Sequence, residues 1–184
     1  DAMASILGAF AGMFSADAAQ KGLSPLAGRE GEDMAAECVT LMDDPLYPIN
    51  PSPFDDEGTP SVAKAVIKDG KLETLLHNLK TAKKAGVKST SNGGRSSAGS
   101  PVGVRITNFY IAPKEGTLGQ LISELGDGLL ITDFSGLHAG VNPVSGKFSV
   151  LCKGRLIKDG RDVRAVNEIT LSGDFTELLR SIVR

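Results

Sequence analysis

The tetrapeptide Ile-Lys-Asp-Gly occurs twice, at 67–70 and at 157–160, each time between apolar runs. Asp-Gly supplies the positive φ that a two-residue hairpin turn needs, so each copy folds the chain back on itself as antiparallel strands. The first copy predicts strands over 62–67 and 71–76. The second predicts a long strand in which Phe148, Val150, Cys152, Gly154 and Leu156 share one face and Lys147, Ser149, Lys153 and Arg155 the other, returning over 163–171. We read the recurrence as repeated hairpin chemistry, not as a duplication. Strands joined this tightly belong to an antiparallel or mixed sheet rather than a doubly wound one.

Helices are marked by their caps. Met3, Ile6, Leu7, Phe10, Met13 and Phe14 form one apolar stripe of a helix over 2–14, with Asp1 as its cap. The opposite face, Ala2, Ala4, Ser5, Gly8, Ala9, Ala11 and Gly12, is small enough for a second backbone to approach, which predicts burial on two sides. Ser15 caps a continuation to Gly22, Asn78 a helix to Gly86, Thr117 with Gln120 a helix through Leu125, and Asp174 with Glu177 a final helix carrying Phe175, Leu178, Leu179 and Ile182. Further strands are expected over 37–42, 102–111 and 129–134. The fold class is α+β: mostly antiparallel or mixed sheet with short helices.

The organisation expected is one domain over 1–184: a helical opening segment plus strand (1–44), a Pro-rich acidic loop (45–60) and a hairpin-rich sheet with three helices (61–184). Five prolines and Asp55-Asp56-Glu57-Gly58 make 45–60 a surface loop, and the Gly/Ser-rich stretch 87–101 a flexible one. Residues 1–63 carry eleven acids and two bases, and 64–95 two acids and eight bases. This asymmetry suggests surfaces of opposite sign that dock modules or partners, or simply solvated faces. Cys38 and Cys152 lack CxxC spacing, there is no basic leader, and no apolar run approaches the ~20 residues that span a bilayer, so the expectation is a cytoplasmic chain with no membrane partner. The missing initiator Met and the helical pattern running to Arg184 suggest a fragment of something longer.

Catalytic motifs are sparse. His77 and His138 are the two histidines, and neither has HExxH spacing, since Asn78-Leu79-Lys80-Thr81 follows His77. Zinc needs about three converging protein ligands, which the spacing of His77, His138, Cys38 and Cys152 does not predict. There is no phosphate-cradling GxxxxGK[ST] or GxGxxG. Gly94-Arg95-Ser96-Ser97-Ala98 narrowly misses a nucleophile elbow and reads as linker. Asp55, Asp56 and Glu57 could pair for acid–base work or stay solvated. Lys80, Lys83, Lys84, Lys88 and Arg95 could meet phosphate, but no aromatics are interleaved, which disfavours nucleic acid. The segment 136–146 places His138, Gly140 and Asn142 in a glycine-dense loop that a ligand can approach closely; Asn142-Pro143 and Ser145-Gly146 are equally good plain turn formers.

That loop is also what makes the chain recognisable. His138 to Ser149 (HAGVNPVSGKFS), the hairpin Ile157-Lys158-Asp159-Gly160 and the strand ending Glu168-Ile169-Thr170-Leu171-Ser172-Gly173 resemble the C-terminal domain of the TldD/PmbA family. Gly28 to Glu37, Asp43-Asp44-Pro45, Pro53-Phe54-Asp55-Asp56-Glu57-Gly58 and Lys88-Ser89-Thr90 follow in family order, so the resemblance covers almost the whole chain. It implies a bacterial cytoplasmic protein named as a modulator of DNA gyrase and related to metallopeptidases of peptide maturation, with the family's N-terminal domain absent from this chain. The catalytic TldD type carries HExxxH, whose histidines bind metal and whose Glu activates water; the TldE (PmbA) type lacks it. Counting back from Gly28-Arg29-Glu30-Gly31-Glu32 puts the histidine places on Leu7 and Gly12 and the Glu place on Gly8.

The resemblance therefore implies a non-catalytic subunit with no catalytic residue and no metal of its own. Zinc is expected in an HExxxH-bearing TldD-type partner, giving a heterodimer that acts on extended or unfolded peptide; a homo-oligomer is a second arrangement. His138, Gly140 and Asn142 are the substrate-binding candidates. Two alternatives stand beside this: a metallopeptidase active in its own right through other ligands, and a nucleic-acid or gyrase-interacting module using 80–95.

Overall fold

Two antiparallel sheets meet across the opening helix. The computed structural model describes residues 2–183; Asp1, the expected cap, lies outside the described residues. The helices are α1 (Ala2–Phe10), continued as a 3-10 segment (Ala11–Phe14), α2 (Ala16–Gln20), α3 (Leu79–Ala85), α4 (Leu118–Leu125), α5 (Leu137–Gly140) and α6 (Phe175–Arg180). The strands are β1 (Leu41–Asp43), β2 (Lys64–Lys68), β3 (Lys71–Leu72), β4 (Gly93–Gly94), β5 (Gly103–Val104), β6 (Phe109–Ile111), β7 (Gly128–Ser135), β8 (Val141–Asn142), β9 (Lys147–Lys158) and β10 (Arg161–Asp174). One sheet has the order β3-β2-β1-β6, the other β10-β9-β7 with β8 also on β9, and β4-β5 form a small ribbon. All strand pairings are antiparallel, as expected from the hairpins.

The apolar stripe of the first segment joins the sheets. The Phe10 ring stacks on Phe175 at 4.4 Å and meets Phe148 edge-on at 6.0 Å, while Phe14 packs on Phe109 of β6 at 5.2 Å. Ile6, Leu7, Phe10, Met13 and Phe14 lie in one core with Leu41, Ile67, Leu72, Val150 and Leu179.

The capping signals are borne out. Asn78 and Thr117 each form a capping box, with Thr81 and Gln120 respectively; Ser15 accepts from the Ala18 N–H, and Asp174 from those of Thr176 and Glu177. Asp69-Gly70 and Asp159-Gly160 take the positive φ values the hairpins require.

The strand boundaries differ. The expected strand 37–42 is only Leu41–Asp43, because the chain before it wraps the first hairpin turn: the Met34 and Ala35 N–H groups donate to the Gly70 carbonyl, and Gly70 N–H donates to Val39. The run 71–76 is strand only at Lys71–Leu72; Leu75 and Leu76 enter the core, and Leu76 forms a single parallel bridge with Ser15, its N–H donating to Phe14 O. The run 102–111 splits into β5 and β6, since Asp43 captures the Thr107 backbone between them. β10 extends beyond 163–171 at both ends. In β9 the alternation holds through Gly154 and then slips, leaving Ile157 rather than Leu156 fully buried. At that level the register shifts in both neighbours, between Ile131 and Asp133 on β7 and between Val166 and Ile169 on β10. Met3 is exposed, and so are Leu118, Leu121 and Leu125 of α4, which buries no residue.

The two loops expected to be solvated or flexible are instead bound to each other. Asp55 is 4% exposed and accepts from the N–H groups of Glu57, Thr59 and Gly93; Asp56 accepts from Arg95 N–H, and Glu57 from Leu79 N–H at the start of α3. A Cβ on Gly93 would sit 2.7 Å from Glu57 Cγ, so only glycine admits this approach. The acidic and basic stretches of the sequence thus meet within the chain.

Candidate functional site

Beside the chain's opening helix runs a groove of about 430 Å³. One wall is α1, through Ser5, Gly8 and Ala9; the other is the α5–β8 segment, through Leu137, His138, Val141 and Pro143. The sequence placed these two regions 130 residues apart as separate features, and the fold brings them together. The small-residue face expected to be buried is covered only in part: Ala2 and Ala11 are buried, but Ala4, Gly8 and Gly12 are exposed, and a Cβ built on either glycine meets nothing within 4 Å.

Leu7 lies on the other side of the helix, 3% exposed within the core. The places that the resemblance assigns to the motif's two histidines thus hold a buried hydrocarbon and bare backbone, and the place it assigns to the Glu holds bare backbone. None carries a donor atom, so these residues do not fit a metal ion or a water-activating base. Among the described residues no three His, Cys, Asp or Glu side chains gather where they could hold a metal. His138 is exposed at the groove rim, far short of a tetrahedral ligand set.

The other two candidates have structural tasks. Gly140 lets α5 lie on β9: an added Cβ would collide with the Ser149 carbonyl and lie 2.8 Å from Val150 Cγ1. The Asn142 carboxamide oxygen accepts from the N–H groups of Val144 and Ser145 at 3.0 and 3.2 Å, closing the turn to β9. Of the turn-former and ligand-loop readings, Asn142 fulfils the first in full. Leu137, Val141, Pro143, Ser5 and Ala9 were missed as groove residues, since no local pattern marks apolar side chains that remain beside an open helix face.

Next to the groove is an unused sheet edge. Among the described residues β7 pairs with β9 on one side and with no other strand, and Ser135 at its end leads through Gly136 (φ 76°) into α5. Its sequence, Gly-Leu-Leu-Ile-Thr-Asp-Phe-Ser, is nearly free of charge, and its one acid, Asp133, is engaged by Lys153 at 3.0 Å. The Lys153 ammonium, by hydrogen bond and by charge, holds the Asp133 carboxyl below its usual range. The opposite edge, β10, carries Arg161, Asp162, Arg164 and Glu168, two register breaks, and Glu168 at φ 56°. Such features deter strand addition. Backbone pairing along β7 and apolar packing in the groove are what this region offers chemically.

No helix among the described residues is long and apolar enough to cross a membrane. Comparison with known proteins then places the chain. The family model for the PmbA/TldA metallopeptidase C-terminal domain matches residues 1–184. A protein of Archaeoglobus fulgidus named "Metalloprotease" is 35% identical over 176 residues, which is 95% of this chain and 40% of that protein. The crystal structure of a Thermotoga maritima protein described as a proposed modulator of a DNA gyrase superposes with a TM-score of 0.92 at 41% identity, over 99% of this chain and 42% of the other. TldE from Thermococcus kodakarensis gives 0.86 at 31% identity, over 95% and 41%. The chain thus spans about two fifths of the length of these relatives, and the archaeal sources show that the family is not confined to bacteria. A match over the full sequence and an α+β fold shared with the solved relatives lead to one statement: this chain belongs to the PmbA/TldD family, matching its metallopeptidase C-terminal domain.

Proposed function

We propose that this chain is the non-catalytic, PmbA/TldE-like half of a two-subunit metallopeptidase that trims extended or unfolded peptides. In this reading a TldD-type partner supplies HExxxH and its zinc, and this chain supplies a surface that holds the substrate. The observation that carries it is the state of the three motif places: Leu7 is buried in the core, and Gly8 and Gly12 present only backbone. A hydrolase needs imidazole and carboxylate there; what stands instead is a shallow groove with apolar walls. Strand addition to a free edge recognises backbone and tolerates many side chains, which suits a disordered substrate, and β7, with one register break and one paired acid, is the less guarded edge. The same reading makes the protein cytoplasmic.

The test is reconstitution of the full-length protein with an HExxxH-bearing family member. Cleavage of an unfolded peptide should need both chains, with zinc found in the partner alone. Thr132→Pro on β7, which takes an N–H from the strand, should impair cleavage by the pair while leaving its assembly intact. Full activity from the partner alone, or stoichiometric metal on this chain, would overturn the proposal.

A further inference from the structure

The segment around His77 is the junction at which the loop 89–94 is tied to the rest of the chain. The His77 carbonyl accepts from the N–H groups of Thr90 and Asn92 and from the Ser89 hydroxyl, while its own N–H donates to Thr90 Oγ1 at 2.6 Å. Thr90 Oγ1 also donates to Asn92 Oδ1 at 2.7 Å, and Asn92 Nδ2 donates to buried Asp43. The next residue, Gly93, holds Asp55. On the other side, Leu76 exchanges hydrogen bonds with Phe14 and Ala16. Ser91, 3% exposed with φ 57°, stays in a left-handed conformation that costs roughly 1 kcal/mol and persists only because its neighbours hold it.

The ring of the same residue, on the side of α2, the 27–30 turn and α3, is poorly placed to take a second proton. His77 is 5% exposed. Its hydrogen bond goes to the Thr81 backbone, and Nδ1 is buried with no protein partner. Nδ1 has under 1 Å² of accessible surface, so a water cannot stand beside it either. A proton added there would meet no acceptor. The groups packed around the ring offer little compensation: in the groove it shares with α2, the 27–30 turn and α3, the residues Ala16, Ala19, Gln20, Ala27, Gly28, Leu75 and Ala85 are uncharged, and only Glu30 bears a charge, itself exposed. Asp17 of α2 and Lys21 just after it neutralise each other, the lysines of α3 are exposed, and 89–92 contains no titratable side chain.

We infer that His77 is an acid-sensitive latch: in mild acid its protonation releases the 89–94 loop, and with it the grip of Gly93 on Asp55, before the sheets come apart. Desolvation lowers the ring's pKa, against smaller opposing effects from the Thr81 hydrogen bond and Glu30. The sign follows. A histidine depressed in the folded state keeps the latch at full strength above its unfolded value of about 6.5, and weakens it as pH falls below that value towards the folded one.

Hydrogen exchange on the intact protein between pH 7.5 and 5.0, corrected for intrinsic exchange rates, reads this directly. Protection of the Asn92, Gly93 and Arg95 amides should fall by up to about tenfold per pH unit below about 6.5, while Val150 and Cys152 in β9 stay protected. His77→Gln, which cannot take a proton in this range, should abolish the pH dependence. A parallel ring titration by NMR on the unmodified protein covers the case in which that variant folds poorly: the His77 ring should titrate below 6.5, together with the Gly93 amide. Unchanged protection across the range, simultaneous loss in β9, a pH dependence that persists in the variant, or a ring titrating at or above 6.5 would each overturn the latch.

Discussion

The two sheets are stabilised in opposite ways. The β3-β2-β1-β6 sheet closes around a buried carboxylate: Asp43, 0% exposed, pairs with Lys64 at 3.0 Å and accepts from Asn92 Nδ2, Thr107 N–H and Thr107 Oγ1 at 2.7–2.8 Å. Four segments are thereby fixed to one atom group. The β10-β9-β7 sheet has no such centre. It is held by one apolar face, Phe148, Val150 and Cys152, and leaves both edges unpaired among the described residues. A satisfied buried network specifies a single arrangement, whereas an apolar face tolerates bends and added strands. The first sheet is built as a scaffold and the second as a surface to work on.

That contrast can be broken from the scaffold side first. Asp43→Ala leaves Lys64, Asn92 and Thr107 without their common acceptor and should cost about 3–5 kcal/mol, read by guanidinium unfolding. A loss under about 1 kcal/mol would mean that the network is incidental and the comparison mistaken. On the working sheet, Gly154→Val should cost about 3 kcal/mol, because an added Cβ collides with the Leu130 carbonyl where β7 and β10 both shift register. If the variant unfolds no more easily, the bend there is soft and β7 is not fixed by β9.

Smaller effects sharpen the picture. Asp174→Ala removes the cap of α6 and should cost about 1 kcal/mol. Burial pushes the Asp174 carboxyl up, but hydrogen bonds from the Thr176 hydroxyl and the Glu177 and Thr176 N–H groups, with the Lys147 charge, outweigh it and leave the carboxyl low. The cap's contribution is therefore present above the unfolded value of about 3.9 and lost as pH falls through the lower folded one. A thermal-melt series from pH 7 to 2 should show the Asp174→Ala difference vanish at the acid end. Least of all, Glu168→Gly relieves a left-handed non-glycine residue on the β10 edge and should add about 0.5 kcal/mol. A melting-temperature decrease in that variant would show that Glu168 makes a compensating contact.

Where prediction and structure agree, the signal was local. Asn78 with Thr81, and Thr117 with Gln120, lie three residues apart and can be read without knowing anything else. The failures share a different cause. Nothing near Thr107 shows that Asp43, 64 residues earlier, will take its N–H and interrupt a strand that alternates well from 102. The groove had half its elements visible in the sequence, His138 and the glycine-rich turn on one side and Gly8 on the other, but their adjacency depends on how α1 crosses β7. Gly140 looked like ligand access, and the structure adds a close packing contact with β9.

Taken alone, the sequence determined the two hairpins and the helix starts, because each rests on the chemistry of residues within a few positions of one another. Only the tertiary structure decided that the acidic loop is a clasp rather than a solvated tail, that the small face of α1 stays open and that β7 is the less guarded edge. Those outcomes depend on donors and surfaces that reach one another from distant parts of the chain, as when Asp55 finds the N–H of Gly93, 38 residues on, and no local pattern encodes such a meeting.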